Sequence, residues 1–223
     1  MDVAEWEPRR VAAVAVALPD GVTPAGTRGK ILEAALALYA ELGFYGTSIR
    51  RIADQVGINS ATLYSHYPSK EHVLAELVRV GHRELHGRLT TAVEAVPPAD
   101  GATGQLAALV RAHVGVHVDY PLLAVVTNSE LHALSPEHAA PSLELRAACR
   151  RLLLGILERG VKDGEFAVPD LVLTATAIGA IGMHVAQWFG PDQPFSGEWI
   201  AETYVRLALR MAGAAGMADA AGR

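Results

Sequence analysis

The sequence predicts an all-α protein, and three observations support this fold class. From residue 27 onward the apolar residues recur at spacings of three and four, which is the period of one helix face. No segment alternates apolar and polar residues as a half-buried strand does, and no unit repeats along the chain. Because 51% of the 223 residues are apolar, the chain can also form a packed core.

Charge and cysteine content restrict the class of protein further. The net charge of −5 hides an asymmetry, because residues 28–90 carry a net +2 whereas residues 1–27 and 91–223 carry −2 and −5. No run of about 18 apolar residues occurs, so neither a transmembrane helix nor a membrane partner is predicted. The single cysteine, Cys149, has no partner for an internal disulfide, and we expect a cytoplasmic protein.

The two ends of the chain are expected to lie outside the folded domains. Residues 1–26 form a predicted flexible arm, in which Pro19, Asp20 and Gly21 follow a short apolar run where a signal peptide needs small residues for cleavage. Residues 216–223 form a predicted disordered tail.

The first part of the folded chain predicts three helices with clear caps. The predicted boundaries, in chain order, are a cap at Thr27, a stop at Gly43, a cap at Thr47, a stop at Gly57 and a cap at Asn59 or Ser60. The second and third helices are short and are joined by a glycine turn, which indicates a helix-turn-helix. The second helix of this motif enters the major groove of DNA, although the same geometry also occurs in helical hairpins that bind no DNA.

The exposed side of the third helix is polar, and the next helix begins with a basic residue. Short polar side chains suit base edges and phosphates, and here they are Ser60, Thr62, Ser65 and His66, with the hydroxyls of Tyr64 and Tyr67 nearby. Pro68 stops the third helix, and Ser69 caps a long fourth helix that runs toward Val93. Lys70, in the first turn of that helix, is a candidate phosphate ligand.

The stretch Thr47 to Glu71, TSIRRIADQVGINSATLYSHYPSKE, resembles the DNA-binding domain of the TetR family of transcriptional regulators. The resemblance spans residues 28–75 and includes the Ile-Ala pair, the glycine turn, the Thr-Leu-Tyr core and the His-aromatic pair before Ser-Lys-Glu. It implies a homodimer that binds a double-stranded DNA operator. Asn59 and Ala61 depart from the serine and glycine common in the family, so base preference is not carried over.

The same resemblance implies two kinds of DNA contact. The implied backbone contacts are Thr47, Tyr64, His66, Tyr67 and Lys70. The residues implied to face or flank the bases are Ser60, Ala61, Thr62 and Ser65. Ser48 and Asn59 complete the candidate DNA-binding set.

The rest of the chain predicts a second helical domain. Helices are expected near residues 105–118, 122–133, 137–162, 170–189 and 197–213, after a loop over 94–104. The last two contain small and branched residues that suit a four-helix dimer interface, with packing inside one chain as the alternative. The sequence therefore predicts a DNA-binding domain over 27–73 and a ligand-binding and dimerisation domain over 74–215.

A ligand pocket is generally apolar with a few polar anchors. The candidate anchors on the apolar C-terminal helices are His113, His117, Thr127, Glu130, Met183, His184, Gln187 and Trp188. Residues 160–166 and 188–196 resemble TetR-family regulators of lipid and steroid catabolism, which implies a small-molecule inducer or co-repressor, such as an acyl-CoA thioester. Arg146, Arg150 and Arg151 either form a solvated face or meet the anionic part of such a ligand.

No cofactor, metal site or catalytic centre is predicted. His113 and His117 share a helix face but lack further ligands, and Cys149 beside arginines has no partner base. Phosphate-binding glycine loops and nucleophile elbows are absent from the sequence. We therefore expect a repressor released by a small, largely apolar ligand. The alternative is a helical protein-binding adaptor, which would lack salt-dependent binding to duplex DNA.

Overall fold

The computed structural model describes residues 15–190 and 193–214, and over these ranges it is helical without any strand. The helices in chain order are α1 (Thr27–Gly46), α2 (Ile49–Val56), α3 (Ser60–His66), α4 (Lys70–Glu94), α5 (Gly101–Asp119), α6 (Pro121–Ser129), α7 (Pro136–Lys162), α8 (Leu171–Trp188) and α9 (Gly197–Met211). Single 3-10 turns lie at Pro98–Asp100 and Leu131–Ala133. The predicted all-α fold is confirmed.

Side-chain caps begin the helices close to where the sequence predicts them. Asn59 Oδ1 accepts the Thr62 N–H at 2.8 Å, and the Ser69 and Ser196 hydroxyls accept N–H groups three residues further on. Three predicted boundaries differ. Gly26 rather than Thr27 caps α1, without a side-chain hydrogen bond. Ser48 rather than Thr47 caps α2. At Gly43, with φ 72°, the helix kinks and then continues to Gly46 instead of stopping.

Two apolar cores divide the described chain differently from the predicted domains. The first core joins α1–α3 and the first half of α4 to α6 and the start of α7. The second core joins the second half of α4 to α5, α7, α8 and α9. The long helix α4 therefore belongs to both cores, and α6 packs with the DNA-binding helices although it comes about fifty residues later in the chain.

Residues 15–26, which belong to the predicted flexible arm, are packed against the first core. Leu18 and Val22 contact this core, and Pro19 is buried. Apolar contacts therefore hold this part of the arm in place. Residues 1–14 of the arm and the predicted tail over 216–223 lie outside the described residues.

Two glycines in long helices have opposite surroundings, and they give a matched pair of predictions. A Cβ at Gly160 would overlap the buried ring of Phe166, whereas a Cβ at Gly87 would meet nothing within 4 Å. Gly160→Ala should lower the free energy of unfolding by about 1–3 kcal/mol through overpacking. Gly87→Ala should raise it by about 1 kcal/mol through helix propensity. Urea denaturation of the two variants measures both changes in the free energy of unfolding. Equal changes would contradict the packing of Phe166 against α7.

Candidate DNA-binding surface and ligand cavity

Helices α2 and α3 form a helix-turn-helix around Gly57. This glycine has φ 78°, in the left-handed region that favours glycine, and its N–H donates to the Asp54 carbonyl at 3.2 Å. Ala53 on α2 and Leu63 on α3 are fully buried in the first core. The turn and these apolar contacts fix the angle between the two helices and leave the polar side of α3 outside.

The outer side of α3 brings most of the predicted DNA-binding residues together. Ser48, Asn59, Ala61, Tyr64 and Ser65 are exposed, and Ser60, Thr62 and His66 are half-buried. Within this surface the Thr62 hydroxyl donates to Asn59 Oδ1 at 3.1 Å, and the Ser65 hydroxyl donates to the Thr62 carbonyl at 2.7 Å. Tyr64 is 51% exposed, so its ring and hydroxyl are available to a DNA strand.

Thr47 and Tyr67 are placed differently from the predicted backbone contacts. Each is only 2% exposed. The Thr47 hydroxyl donates to the Gly43 carbonyl at 2.9 Å, and the Tyr67 ring lies 4.6 Å from the guanidinium carbon of Arg28. Both side chains pack inside the domain, where the Thr47 hydroxyl has a hydrogen-bond partner and the Tyr67 hydroxyl has none among the described residues, so neither is presented on the surface where the prediction places it.

Lys70 also has partners inside the protein. Its ammonium group donates to the carbonyls of Phe44 at 2.7 Å and Thr47 at 2.8 Å, and it lies 4.1 Å from the centre of the Phe44 ring. Burial lowers the pKa of this lysine. Lys70 therefore ties the start of α4 to the connection between α1 and α2, and these contacts position the helix-turn-helix.

Three exposed residues beside α3 were not in the predicted set. Arg50 and Arg51 lie in the first turn of α2, and Tyr45, before that helix, is 76% exposed. The first helix of a helix-turn-helix crosses the DNA backbone, where arginines suit phosphates. For Arg50 and Arg51, the signal in the sequence was their position in the first turn after the cap Ser48, and Tyr45 had no such signal.

Two adjoining cavities lie within the C-terminal helices. The outer cavity, about 380 Å³, lies among α4, α5, α7 and α8, with apolar walls from Leu89, Leu109 and Leu153 and exposed Arg146 and Arg150 on α7. The inner cavity, about 60 Å³, extends toward the crossing of α4 and α6. Both are lined by Leu85, Arg146, Cys149 and Met183. Together they form an apolar chamber with cationic groups at its exposed side.

The cavities contain four of the eight predicted ligand residues. His117 and Thr127 line the inner cavity, His113 lines the outer one, and Met183 lines both.

The other four predicted ligand residues lie outside these cavities, so the predicted lining is revised. Glu130 accepts the Phe44 N–H at 3.2 Å, His184 and Gln187 lie on the exposed face of α8, and Trp188 packs against the second core.

Burial keeps the histidines in the cavities neutral and the cysteine protonated. Burial lowers the pKa of His113 to about 3 and also lowers the pKa of His82 and His117. Burial raises the pKa of the Cys149 thiol to about 11, so the neighbouring arginines do not activate it. Over the described ranges, no three His, Cys, Asp or Glu side chains lie together as a metal site.

Comparison with known families covers both parts of this architecture. Residues 31–77 match the bacterial regulatory proteins of the tetR family, and residues 99–212 match the tetracyclin repressor-like C-terminal domain. The chain belongs to the TetR family. The predicted family is therefore confirmed, and with it the class of transcriptional regulator rather than helical adaptor.

Several TetR-family proteins are similar over nearly their whole length. The HTH-type transcriptional repressor KstR2 of Rhodococcus jostii is 30% identical over 186 residues, which are 82% of this chain and 90% of that protein. A tetR-family regulatory protein from Rhodococcus RHA1 superposes with TM-score 0.80 at 32% identity, covering 86% of this chain and 100% of that chain. The ketosteroid transcriptional regulator KstR2 of Mycobacterium tuberculosis gives TM-score 0.76 at 26% identity, with 85% and 97% covered.

Helix α8 has apolar residues on both its buried and its exposed side. By length and hydropathy alone α8 would suit a membrane span, but Ala175, Ile178 and Val185 are buried in the second core. On its outer side Val172 and Leu173 are 50% and 69% exposed. The small and branched residues of α8, which the sequence analysis found suited to a dimer interface, thus divide between two faces, because the inner face packs in the chain's own core.

Proposed function

We propose that this protein is a transcriptional repressor that binds a palindromic operator as a homodimer and leaves it when an amphiphilic ligand binds. One observation carries the proposal: the apolar chamber is walled by α4, the same helix that Lys70 ties to the helix-turn-helix. A ligand in this chamber meets the helix that positions the DNA-reading surface. The proposed domains at 27–73 and 74–215 therefore correspond to DNA binding and to ligand binding with dimerisation, and not to two separate apolar cores.

The proposed ligand is an acyl-CoA thioester or a related lipid metabolite. An apolar chamber suits its hydrocarbon part, and Arg146 and Arg150 suit its phosphates. The names of two relatives agree with a lipid metabolite, because one is called a ketosteroid transcriptional regulator and another a fatty acid metabolism regulator protein.

The proposed DNA surface combines α2 and α3 of both subunits. Thr62 and Ser65 would meet base edges, while Tyr64, Arg50 and Arg51 would contact the DNA backbone. A twofold dimer reads two half-sites about one helical turn, or a multiple of it, apart. We propose no catalytic role, because the pKa of the Cys149 thiol in the cavity is raised. We expect the protein to act in the cytoplasm.

Release requires the ligand to favour one arrangement of α4 over the other. A ligand that binds both arrangements equally shifts nothing, and a nearly complete switch needs a difference of roughly 10⁴-fold, about 5.5 kcal/mol. Opening the chamber would turn α4 and change the separation between the two recognition helices.

The test is an anisotropy titration with DNA flanking the protein's own coding region, at two salt concentrations, with and without decanoyl-CoA. We expect tight, competitor-resistant binding that decanoyl-CoA releases. Arg150→Gln should raise the decanoyl-CoA concentration needed for release by about tenfold, since it removes one charge-assisted contact. Arg151→Gln is the matched control, because this neighbouring arginine is exposed but lines neither cavity. Equal effects of the two variants would contradict the proposed anion position.

A further inference from the structure

The outer side of α3 carries a chain of hydrogen bonds that fixes the direction of two hydroxyl protons. Asn59 Oδ1 accepts the Thr62 N–H at 2.8 Å, and because an N–H group only donates, the accepting atom is the amide oxygen. The Thr62 hydroxyl lies 3.1 Å from the same oxygen, which carries no proton, so the hydroxyl donates. The Ser65 hydroxyl donates in turn to the Thr62 carbonyl at 2.7 Å. Both protons are therefore used inside the protein.

Thr62 and Ser65 consequently present only lone pairs to their surroundings. A hydroxyl has one proton and two lone pairs, so a hydroxyl whose proton is already donated acts outward as an acceptor. Ser65 is exposed and Thr62 is half-buried. The neighbouring side chains of Ser60, Tyr64 and His66 make no hydrogen bond among the described residues, so they can both donate and accept. On this side of α3, the acceptor character is confined to Thr62 and Ser65.

The base edges of the major groove divide by the same polarity. Adenine and cytosine present an amino group there, whereas guanine and thymine present acceptors only, apart from the thymine methyl group. The oxygens of Thr62 and Ser65 can accept from an amino group without any change in the protein. To donate to guanine or thymine, each hydroxyl must first break its internal hydrogen bond. The Nδ2 amide group of Asn59 has the opposite polarity and suits phosphates or base acceptors.

We propose that Thr62 and Ser65 select operator base pairs in which the contacted base carries an amino group and is therefore adenine or cytosine. Asn59 is the positioning residue of this selection, because its Oδ1 holds the Thr62 proton. The proposal rests on the proposed function, in which these two side chains meet base edges, and it specifies which edges they read. A hydroxyl with a free proton would read either kind of edge and would select nothing by polarity.

The test begins with selection of bound duplexes from a randomised pool by the full chain. Each adenine of the selected operator is then replaced by 2-aminopurine, which still pairs with thymine but has no amino group in the major groove. Each cytosine is replaced by N4-methylcytosine, whose methyl group takes the place of the N–H that faces the groove. We expect replacement to weaken binding by about tenfold at two positions of each half-site. Thr62→Val should remove this effect at one of them, and Ser65→Ala should remove it at the other.

Two variants separate the direction of the proton from the loss of a contact. Asn59→Gly keeps a residue that the cap position tolerates, and it frees the Thr62 proton. Because the hydroxyl can then donate to a base acceptor, removal of the amino group should cost less than about threefold at the Thr62 position and still about tenfold at the Ser65 position. An undiminished cost at the Thr62 position would overturn the role of Asn59. Ser129→Ala is the matched control, because this exposed serine of α6 also donates to a carbonyl, that of Val125 at 2.8 Å, and it should leave both effects unchanged.

The bases 7-deazaadenine and 7-deazaguanine test the opposite polarity, since they lack the N7 acceptor and keep every amino group. If Thr62→Val or Ser65→Ala removes an effect of these bases instead, the hydroxyls donate to DNA and the proposal is overturned. It is also overturned if neither variant changes any effect of amino-group removal. In both cases the selected operator stands, and with it the proposed operator binding. If the chain selects no sequence from the pool, the proposed DNA surface and this proposal fail together.

Discussion

Lys70→Ala is expected to weaken operator binding by more than about tenfold and to lower the free energy of unfolding by about 2 kcal/mol. The change removes two charge-assisted hydrogen bonds, to the carbonyls of Phe44 and Thr47, and leaves both carbonyls without this partner. The connection between α1 and α2 then loses its tie to α4. The recognition surface is held less precisely, although no residue of α3 has changed.

Salt dependence tells whether Lys70 positions the domain or contacts phosphate directly. A lost phosphate contact reduces the slope of log affinity against log salt by about 1. We expect the slope of Lys70→Ala to stay unchanged, since the ammonium group is already used inside the protein. Lys30→Ala, at an exposed lysine on α1, is the stability control. A reduced slope with unchanged stability would restore the role that the family resemblance implied.

Acid is expected to destabilise the protein from pH 6.5 downward, well before its carboxylates titrate. His113 has a pKa of about 3 in the folded chain, whereas an unfolded histidine titrates near 6.5. The unfolded state therefore binds the proton first as the pH falls. The stabilisation is complete above pH 6.5 and is lost progressively toward pH 3. Between pH 6.5 and 5 the loss from His113 alone is about 2 kcal/mol, and His82 and His117 act in the same direction.

Urea denaturation at pH 8, 6.5 and 5 measures this dependence. His113→Gln should give a flatter profile, because a neutral amide takes up no proton. His132→Gln, at an exposed histidine, should follow the parent profile. Glu71 does not interfere, since hydrogen bonds from His138 and Ser135 lower its pKa to about 2, so its contribution is lost only between about pH 4.5 and 2. A parent whose stability is constant from pH 8 to 5 would contradict the burial of these histidines.

Local signals made the helix-turn-helix predictable, whereas distant packing did not. A cap such as Asn59 or Ser69 bonds a backbone group three residues away, so the few residues around it contain the information. The contacts of Thr47 and Lys70 depend on where α4 meets the connection between α1 and α2, and no single segment of the sequence contains that information. The resemblance implied that these residues contact DNA, but it could not show that the Thr47 hydroxyl and the Lys70 ammonium group have intramolecular partners.

The ligand residues show the same limit more strongly. The same criterion, a polar side chain or methionine in an apolar helical pattern, selected His113 and His117 on α5, Thr127 on α6, and Met183, His184 and Gln187 on α8. Only the packing of α8 against the second core decides which side faces the cavity. Periodicity gives the spacing of a helix face, but the direction of that face depends on its tertiary neighbours.

The participation of α6 in the first core affects how this regulator can be recombined with others. Leu122, Leu123 and Val126 complete the apolar surface beneath the DNA-reading helices. A chimera that joins residues 27–73 to the ligand-binding domain of an unrelated regulator would replace these α6 residues with side chains of another shape. The unit that can be transferred to another regulator is therefore discontinuous in the sequence. A chimera between relatives has to carry residues 27–73 and helix α6 together.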